Sequence, residues 1–216
     1  MKSPFKFKYT APAASTEKQP AIFLLHGLGS NEEDLFALVG DFKDQCHIFG
    51  LQGPIEHRPG YAFYTFDGEE GKPNRQIFDK VVSVTAAFIR EAVQEYNLDP
   101  ARLFVVGFNQ GAVVAQALAV SMGDEIRGTA VLSGFLPQFV AEEYSLKHQG
   151  TSKMFISHGE YDYVYPYSWG QQSAYYFDQA GLDVTFKTYD EGHGVTPQNL
   201  QDLIAFLAEN LATDMN

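Results

Sequence analysis

One stretch of the chain, residues 103–116, places the tightest limits on what the protein can fold into. It reads Leu-Phe-Val-Val-Gly-Phe-Asn-Gln-Gly-Ala-Val-Val-Ala-Gln. The apolar run Leu103–Val106 is rich in β-branched residues, which is typical of a strand buried on both faces. Ala112–Ser121 consists mainly of small and apolar residues and predicts a buried helix. The stretch therefore predicts a strand that turns sharply into a helix.

The turn between these two elements has the spacing of a nucleophile elbow, G-x-S-x-G. It reads Gly107-Phe108-Asn109-Gln110-Gly111. Glycines are required there because the central residue is held in a strained conformation, while strand and helix pack too closely for side chains. The central residue is asparagine where the motif has serine. A carboxamide is a poor nucleophile at neutral pH because its nitrogen lone pair is delocalised, and this departure limits the function that can be inferred.

The rest of the chain alternates between strand and helix patterns. Further strands are predicted at 5–9, 21–25, 46–51, 128–133, 153–157 and 184–189. Helices are predicted from Ser30 or Asn31 to about Phe42, and at 76–98, 168–180 and 197–211. This alternation predicts an α/β fold with a mainly parallel central sheet and helices on both faces. No second domain boundary is evident, so we expect one domain over residues 1–216.

Three segments have no regular pattern. Residues 10–19 read as a polar connection, and residues 134–150 as a mixed segment that could cover a pocket. Residues 52–75 form a long loop rich in proline, glycine and aromatic residues. A loop of this length is often functional, and two interpretations stay open for it. Its aromatic residues either form a pocket wall or only hold the loop against the core.

Composition excludes several classes of function. A formal net charge of −12 over 216 residues argues against a nucleic-acid partner, which needs a basic surface. Cys46 is the single cysteine, so no internal disulfide can form and a reducing compartment is expected. The amino-terminal residues lack the apolar core of a signal peptide, and no apolar run approaches the ~18 residues of a bilayer span. We therefore expect a cytoplasmic protein without integral membrane association.

Residues with useful chemistry follow the predicted strands. They are His26–Ser30, Asn109, Asp162 and His193. In a parallel sheet, the carboxyl ends of the strands meet at one edge, where functional residues gather. The order is that of a hydrolase triad: nucleophile position, acid, histidine. A metal site built from His158, Glu160, Asp162 and His193 is a remote alternative, because the chain lacks the histidine or cysteine spacing of metal motifs.

Four segments together resemble the phospholipase/carboxylesterase family of small α/β-hydrolases, which includes the acyl-protein thioesterases. They are His26-Gly27-Leu28-Gly29-Ser30, Gly107-Phe108-Asn109-Gln110-Gly111-Ala112, His158-Gly159-Glu160-Tyr161-Asp162 and Gly192-His193-Gly194-Val195-Thr196. The resemblance implies a single-domain α/β-hydrolase fold. It also implies hydrolysis of short carboxylic ester or thioester substrates through an acyl-enzyme, without a metal or other cofactor. The family pattern has serine at position 109 and keeps Asp162 and His193.

The resemblance also implies a role for each residue of the site. His193 would act as general base toward residue 109, and Asp162 would fix the tautomer of the imidazole. The backbone amides of Leu28 and Gln110 would form the oxyanion hole. His26 would shape the loop that carries Leu28 and would not act as an acid or base.

Aromatic residues indicate where the acyl group of a substrate would bind. We expect Phe63, Phe66 and Phe135 to line an apolar pocket, although the sequence does not define the length of the acyl chain. In this family an exposed apolar rim can serve the formation of a homodimer or access to lipid. The sequence does not choose between these two uses.

Three explanations of Asn109 stay open at this stage. The chain is an esterase altered by a change as small as one base, or a natural relative that binds small ligands without turnover. In the third, Asn109 deamidates to an aspartate, whose carboxylate could attack an ester or a halide. The third is the least favoured, because Gln110 follows Asn109 and glycine is the residue that promotes deamidation. The first two predict a chain that is nearly inactive.

Overall fold

The computed structural model describes residues 4–12, 17–68, 71–148 and 150–212. Part of the predicted connection 10–19 and a few residues of the other two irregular segments lie outside these ranges, as do the ends of the predicted domain 1–216. The remaining predictions can be compared with the structure.

Within the described residues, seven strands form one sheet. They are β1 (Phe7–Thr10), β2 (Ala21–Leu25), β3 (His47–Leu51), β6 (Leu103–Phe108), β7 (Gly128–Leu132), β8 (Lys153–Gly159) and β9 (Asp183–Tyr189). Their order across the sheet is β1-β3-β2-β6-β7-β8-β9. Every pairing is parallel except that of the edge strand β1 with β3. The predicted mainly parallel sheet is confirmed, and the organising strand β6 lies in its centre.

Helices cover both faces of this sheet. They are α1 (Arg75–Glu95), α2 (Gln110–Met122), α3 (Gln138–Glu143), α4 (Tyr167–Gln179) and α5 (Pro197–Leu211). Side chains of α1, α2 and α4 share one apolar core with one face of the sheet. The other face packs against α5 and a 3₁₀ helix at Asp34–Phe42. Nearly every residue of α2 is buried, as its composition predicts.

The helix predicted from Ser30 or Asn31 to Phe42 is wrong in type and in its start. The segment is a 3₁₀ helix that begins at Asp34, and its backbone is kinked at Val39. The side chain of Asn31 accepts a hydrogen bond from the Glu33 amide at 2.9 Å, so it forms a local turn in place of a helix cap. Leu35, Val39 and Phe42 are buried on the face of this helix that packs against the sheet.

The long loop at 52–75 contains a short hairpin that the sequence pattern does not show. Its strands are β4 (Ile55–His57) and β5 (Gly60–Ala62). Tyr61 donates from its amide to the Ser30 carbonyl and accepts from the Gly29 amide, each at 2.8 Å. A Cβ at Gly60 would overlap the backbone carbonyl oxygens of Gly29 and Ser30. The hairpin therefore fastens the loop that follows β2, through contacts distant in sequence.

The register of the sheet brings the carboxyl ends of the central strands together. Leu25 pairs with Gly107, Phe108 with Leu132, and Gly159 with Tyr189. The loops after β2, β6, β8 and β9 consequently leave the sheet at the same edge. These are the loops that carry the candidate site residues.

The glycines of the elbow allow this edge to close tightly. A Cβ at Gly111 would overlap the Leu25 carbonyl, and a Cβ at Gly107 would overlap the backbone of Gly111. Strand β6, the first turn of α2 and the end of β2 therefore touch through backbone atoms alone. This explains the spacing of the two glycines in physical terms.

We predict that Gly111→Ala destabilises the protein by about 3 kcal/mol or more, because the added methyl group meets rigid backbone that cannot move away. Gly40→Ala is the control, since a Cβ there meets no atom within 4 Å. Its effect should stay within about 0.5 kcal/mol. Urea unfolding of the two variants measures both values. Equal stability of the two would contradict the packing described for the elbow.

Candidate active site

Asn109 lies at the tip of the elbow, between the end of β6 and the start of α2. Its backbone has φ 51° and ψ −117°, a left-handed conformation that non-glycine residues rarely adopt. The residue is 6% exposed. The strain is held by the close contacts of Gly107 and Gly111, so the side chain is presented at the carboxyl edge of the sheet.

Asp162 and His193 come together although 31 residues separate them. The Nδ1 atom of His193 lies 2.8 Å from Oδ2 of Asp162. Oδ1 of Asp162 accepts from the amides of Val164 and Tyr165, each at 2.8 Å. A Cβ at Gly159 would overlap carbonyls of residues 191 and 192, so glycine there lets the histidine loop lie against the end of β8. The carboxylate is thereby fixed in a position to orient the imidazole.

The carboxamide of Asn109 contacts both the histidine and the Leu28 amide. The Leu28 N–H donates to Oδ1 of Asn109 at 3.1 Å, and Nδ2 lies 2.9 Å from Nε2 of His193. An amide nitrogen only donates, so Nε2 must accept and Nδ1 must carry the proton that goes to Asp162. The network therefore sets the tautomer of His193, with its accepting nitrogen aimed at residue 109.

The two expected oxyanion donors come from separate elements, the start of α2 and the loop after β2. Gln110 is the first residue of α2, where backbone N–H groups have no acceptor within the helix. Leu28 projects from the loop after β2, and its N–H already binds the asparagine oxygen. Oδ1 of Asn109 therefore occupies the position in which the Leu28 N–H would stabilise the oxyanion of a substrate.

His26 shapes the loop that carries Leu28. Its Nε2 accepts from the Gly53 amide at 2.9 Å, which leaves Nδ1 to donate to the Gly27 carbonyl at 2.6 Å. Burial lowers the pKa of the imidazole, so it stays neutral in this position. Both ring nitrogens are engaged with backbone, and neither points at Asn109.

The side chain of Gln110 has a role that sequence reasoning missed. It is fully buried, accepts from the Phe63 amide and donates to the Tyr64 carbonyl, each at 3.0 Å. These bonds tie the aromatic part of the long loop to the elbow. A glutamine in the first turn of a mainly apolar helix is a weak signal of this in the sequence.

His158 is a second residue whose role was not anticipated, although it belongs to a motif segment. It is completely buried, and its Nε2 lies 2.8 Å from the Tyr165 carbonyl and 3.3 Å from Oδ2 of Asp162. Burial lowers the pKa of this imidazole. The neutral ring thus adds a donor beside the carboxylate that orients His193.

Of the three residues expected to line an acyl pocket, one lies in a cavity wall. A cavity of about 770 Å³ between α3 and α4 is lined by Phe135, Phe139, Trp169 and Tyr176, among others. Phe63 instead is fully buried against His26, and Phe66 packs edge-on against Tyr64. Most aromatics of the long loop thus hold it to the core, while its residues 71–73 border the cavity.

Tyr165 stands between this cavity and the histidine. Its ring packs against Phe135 and Trp169 in the cavity wall, with centroids 5.0 and 6.0 Å away, and lies 5.6 Å from the ring of His193. Asn109, His193 and Leu28 do not line the cavity. The cavity is therefore a neighbour of the site, separated from it by one buried aromatic side chain.

The serines near the strand ends are poorly placed to act as nucleophiles. Ser133 and Ser157 are both essentially buried, and neither hydroxyl has a hydrogen-bond partner among the described residues. Ser30 lies in the loop fastened to Tyr61.

Within the described ranges, no three histidine, cysteine or acidic side chains are grouped to hold a metal ion. Glu160, one member of the imagined metal site, instead accepts from the Thr188 hydroxyl.

This fold and this arrangement of loops define an α/β-hydrolase. A crystal structure of the Bacillus cereus carboxylesterase matches it with a TM-score of 0.86, covering 97% of this chain and 96% of that one at 19% identity. The sequence pattern of the Phospholipase/Carboxylesterase family matches residues 10–211. The chain belongs to the phospholipase/carboxylesterase family.

Curated relatives point to the same family over nearly their whole length. Acyl-protein thioesterase 1 of Candida albicans is 26% identical over 218 residues, covering 91% of this chain and 94% of that protein. Acyl-protein thioesterase 1 of Kluyveromyces lactis is 27% identical over 224 residues, covering 93% of this chain and 97% of that protein.

Among the described residues, no helix has both the length and the apolar character needed to cross a membrane.

We predict that Gln110→Met, which keeps the size of the side chain, destabilises the protein by about 2 kcal/mol or more. The substitution leaves the Phe63 amide and the Tyr64 carbonyl buried without partners, at a cost of ~1–3 kcal/mol for each group. Gln179→Met on the exposed end of α4 is the matched control and should be nearly neutral. Chemical denaturation compares the two. A neutral Gln110→Met would show that these bonds are dispensable.

The lowered pKa values of His26 and His158 predict a pH dependence of stability. Below pH ~6.5 the unfolded chain binds protons at these histidines while the folded chain does not, so stability falls as pH decreases toward their lowered values. Each histidine contributes at most ~1.4 kcal/mol per pH unit. In urea unfolding across this pH range, the free energy of unfolding should fall less steeply with decreasing pH in His158→Asn than in the wild type. Parallel curves would contradict the neutral, buried imidazole.

Proposed function

We propose that this chain has the catalytic apparatus of a carboxylesterase or acyl thioesterase in which Asn109 has replaced the nucleophile. In this proposal His193 is the general base, Asp162 orients it, and the amides of Leu28 and Gln110 form the oxyanion hole. The substrate class is small carboxylic esters or thioesters, and the chain as it stands is nearly inactive.

The observation that carries this proposal is the pair of bonds made by the Asn109 carboxamide. One atom of the group faces the basic nitrogen of His193, and another faces the Leu28 amide. Acyl transfer needs a nucleophile held between a base and an oxyanion donor. Position 109 meets both requirements in its surroundings and lacks only the hydroxyl.

Family membership supports the ester or thioester class. The thioesterase names belong to relatives that share about a quarter of their residues with this chain. The short distance from His193 to Asp162 supports a base that is ready to accept a proton. An acyl group bound near residue 109 would meet Phe108, whose ring centroid lies 5.0 Å from that of His193.

Asn109→Ser should raise hydrolysis of p-nitrophenyl acetate by several orders of magnitude. Loss of a triad nucleophile typically costs ~10⁶ in kcat, and the substitution restores this group to surroundings that are otherwise complete. Initial rates of wild type and variant, with active-site titration of the variant, measure the gain.

Two further variants make this measurement specific. Asn109→Ala removes the carboxamide without adding a nucleophile and should remain nearly inactive. Asn109→Ser combined with His193→Ala should lose most of the restored activity, because the hydroxyl then has no base. No gain from Asn109→Ser in a folded protein would refute the esterase proposal.

A second candidate is a small-ligand-binding protein without turnover. It is favoured by the aromatic cavity between α3 and α4, which is large enough for a small molecule but does not open on Asn109. In this case Asn109→Ser leaves turnover low, while an apolar ester or acid still raises the melting temperature of the wild type. Trp169→Ala, in the cavity wall, should abolish that shift. Ligand stabilisation lost on this substitution, without turnover in Asn109→Ser, would favour binding over catalysis.

A further inference from the structure

We infer that Asn109 is a site of self-modification, at which the protein hydrolyses its own side-chain amide to leave an aspartate at position 109. This inference shares His193 and the oxyanion donors with the proposed function. It concerns a different reaction, in which the protein's own carboxamide takes the place of a substrate.

The contacts of Asn109 are those that amide hydrolysis requires. The carbonyl oxygen Oδ1 receives the Leu28 N–H at 3.1 Å, so negative charge that develops on this atom is stabilised. The leaving nitrogen Nδ2 lies 2.9 Å from Nε2 of His193, within reach of proton transfer. Asp162 supports the imidazolium that forms during the reaction.

Water can reach this edge of the molecule. The side chain of His193 is 10% exposed, and Leu28 is 40% exposed. Asn109 itself is 6% exposed, so the carboxamide lies just beneath this exposed edge.

The reaction balances with water as its only co-reactant. Water adds to Cγ of Asn109, its proton passes to Nε2 of His193, and Oδ1 takes the negative charge beside the Leu28 amide. The C–N bond then breaks while the imidazolium returns the proton to Nδ2, and ammonia leaves. A carboxylic acid remains and ionises at neutral pH. The elbow then carries a carboxylate, a group that some hydrolases use as a covalent nucleophile.

The identity of the following residue does not oppose this route. Ordinary deamidation proceeds through attack by the next backbone nitrogen, which is why a glycine after asparagine promotes it. Gln110 disfavours that cyclisation, but direct hydrolysis by water does not use its nitrogen. The site geometry thus replaces the local sequence as the factor that sets the rate.

The chain contains a matched internal control. Asn97 has φ 52°, almost the same as Asn109, and is likewise followed by a bulky residue, Leu98. It is exposed just after α1, before β6 begins, whereas Asn109 follows the end of that strand. Asn97 therefore shares the positive φ of Asn109 without the histidine or the oxyanion donor.

Peptide mapping resolves the two positions. Cleavage after arginine gives peptides 91–102 and 103–127, and each contains one asparagine. The wild-type protein is incubated in H₂¹⁸O at neutral pH, digested, and followed by mass spectrometry over days. We expect peptide 103–127 to gain a carboxylate with one ¹⁸O at residue 109, as α-aspartate, well before peptide 91–102 changes.

Variants of the base test the mechanism. His193→Ala and His193→Gln should slow the conversion at residue 109 by at least ~10²-fold, the usual contribution of general acid–base catalysis, and leave residue 97 unaffected. Melting temperatures show that each variant is folded.

Three results would overturn the inference. The first is deamidation of residue 109 that is no faster than deamidation of residue 97. The second is a deamidation rate at residue 109 that is unchanged in both His193 variants. The third is formation of isoaspartate, which marks cyclisation through the Gln110 nitrogen. The esterase proposal is measured separately by the activity of Asn109→Ser. If Asn109→Ser is active but the wild-type protein keeps its amide at residue 109, this inference fails and the esterase proposal stands.

Discussion

The close packing of β6 against α2 is the contact on which the rest of the site depends. At Gly107 and Gly111 the backbones of strand, helix and the end of β2 approach until no Cβ fits between them. This contact holds residue 109 in a left-handed conformation and aims its side chain at His193 and the Leu28 amide. Backbone atoms maintain the geometry, so it does not require serine at position 109.

A layer of buried polar side chains supports this elbow. Gln110 holds the aromatic loop, His26 holds the loop of Leu28, and His158 lies beside the carboxylate of Asp162. Each bonds to backbone atoms, and burial lowers the pKa of both histidines. Their hydrogen bonds restrict the loops that carry Leu28 and Asp162 and hold the aromatic loop to the elbow. Asn109 therefore stands among loops that buried hydrogen bonds hold in place.

Prediction from the sequence succeeds where a local pattern is strong. The alternation of strands and helices, the long helix α1 and the bounds of α5 follow from apolar periodicity. In the structure the side chains of Asn74 and Thr196 cap α1 and α5. Prediction fails where partners are distant or local bonds compete. The β4–β5 hairpin depends on residues 29 and 30, and the Asn31 side chain bonds locally in place of capping a helix. The roles of the Gln110 and His158 side chains depend equally on partners remote in the chain.

The sequence by itself determined the order of the elements, the glycine spacing of the elbow and the presence of an amide at position 109. These are properties of neighbouring residues, and local backbone preferences and side-chain size encode them. Only the tertiary structure decided that the amide oxygen meets Leu28 and its nitrogen meets His193, 81 and 84 residues away. Such contacts depend on the register of the parallel strands and on the loops that close over their ends, because covalent spacing does not constrain atoms so far apart in the chain.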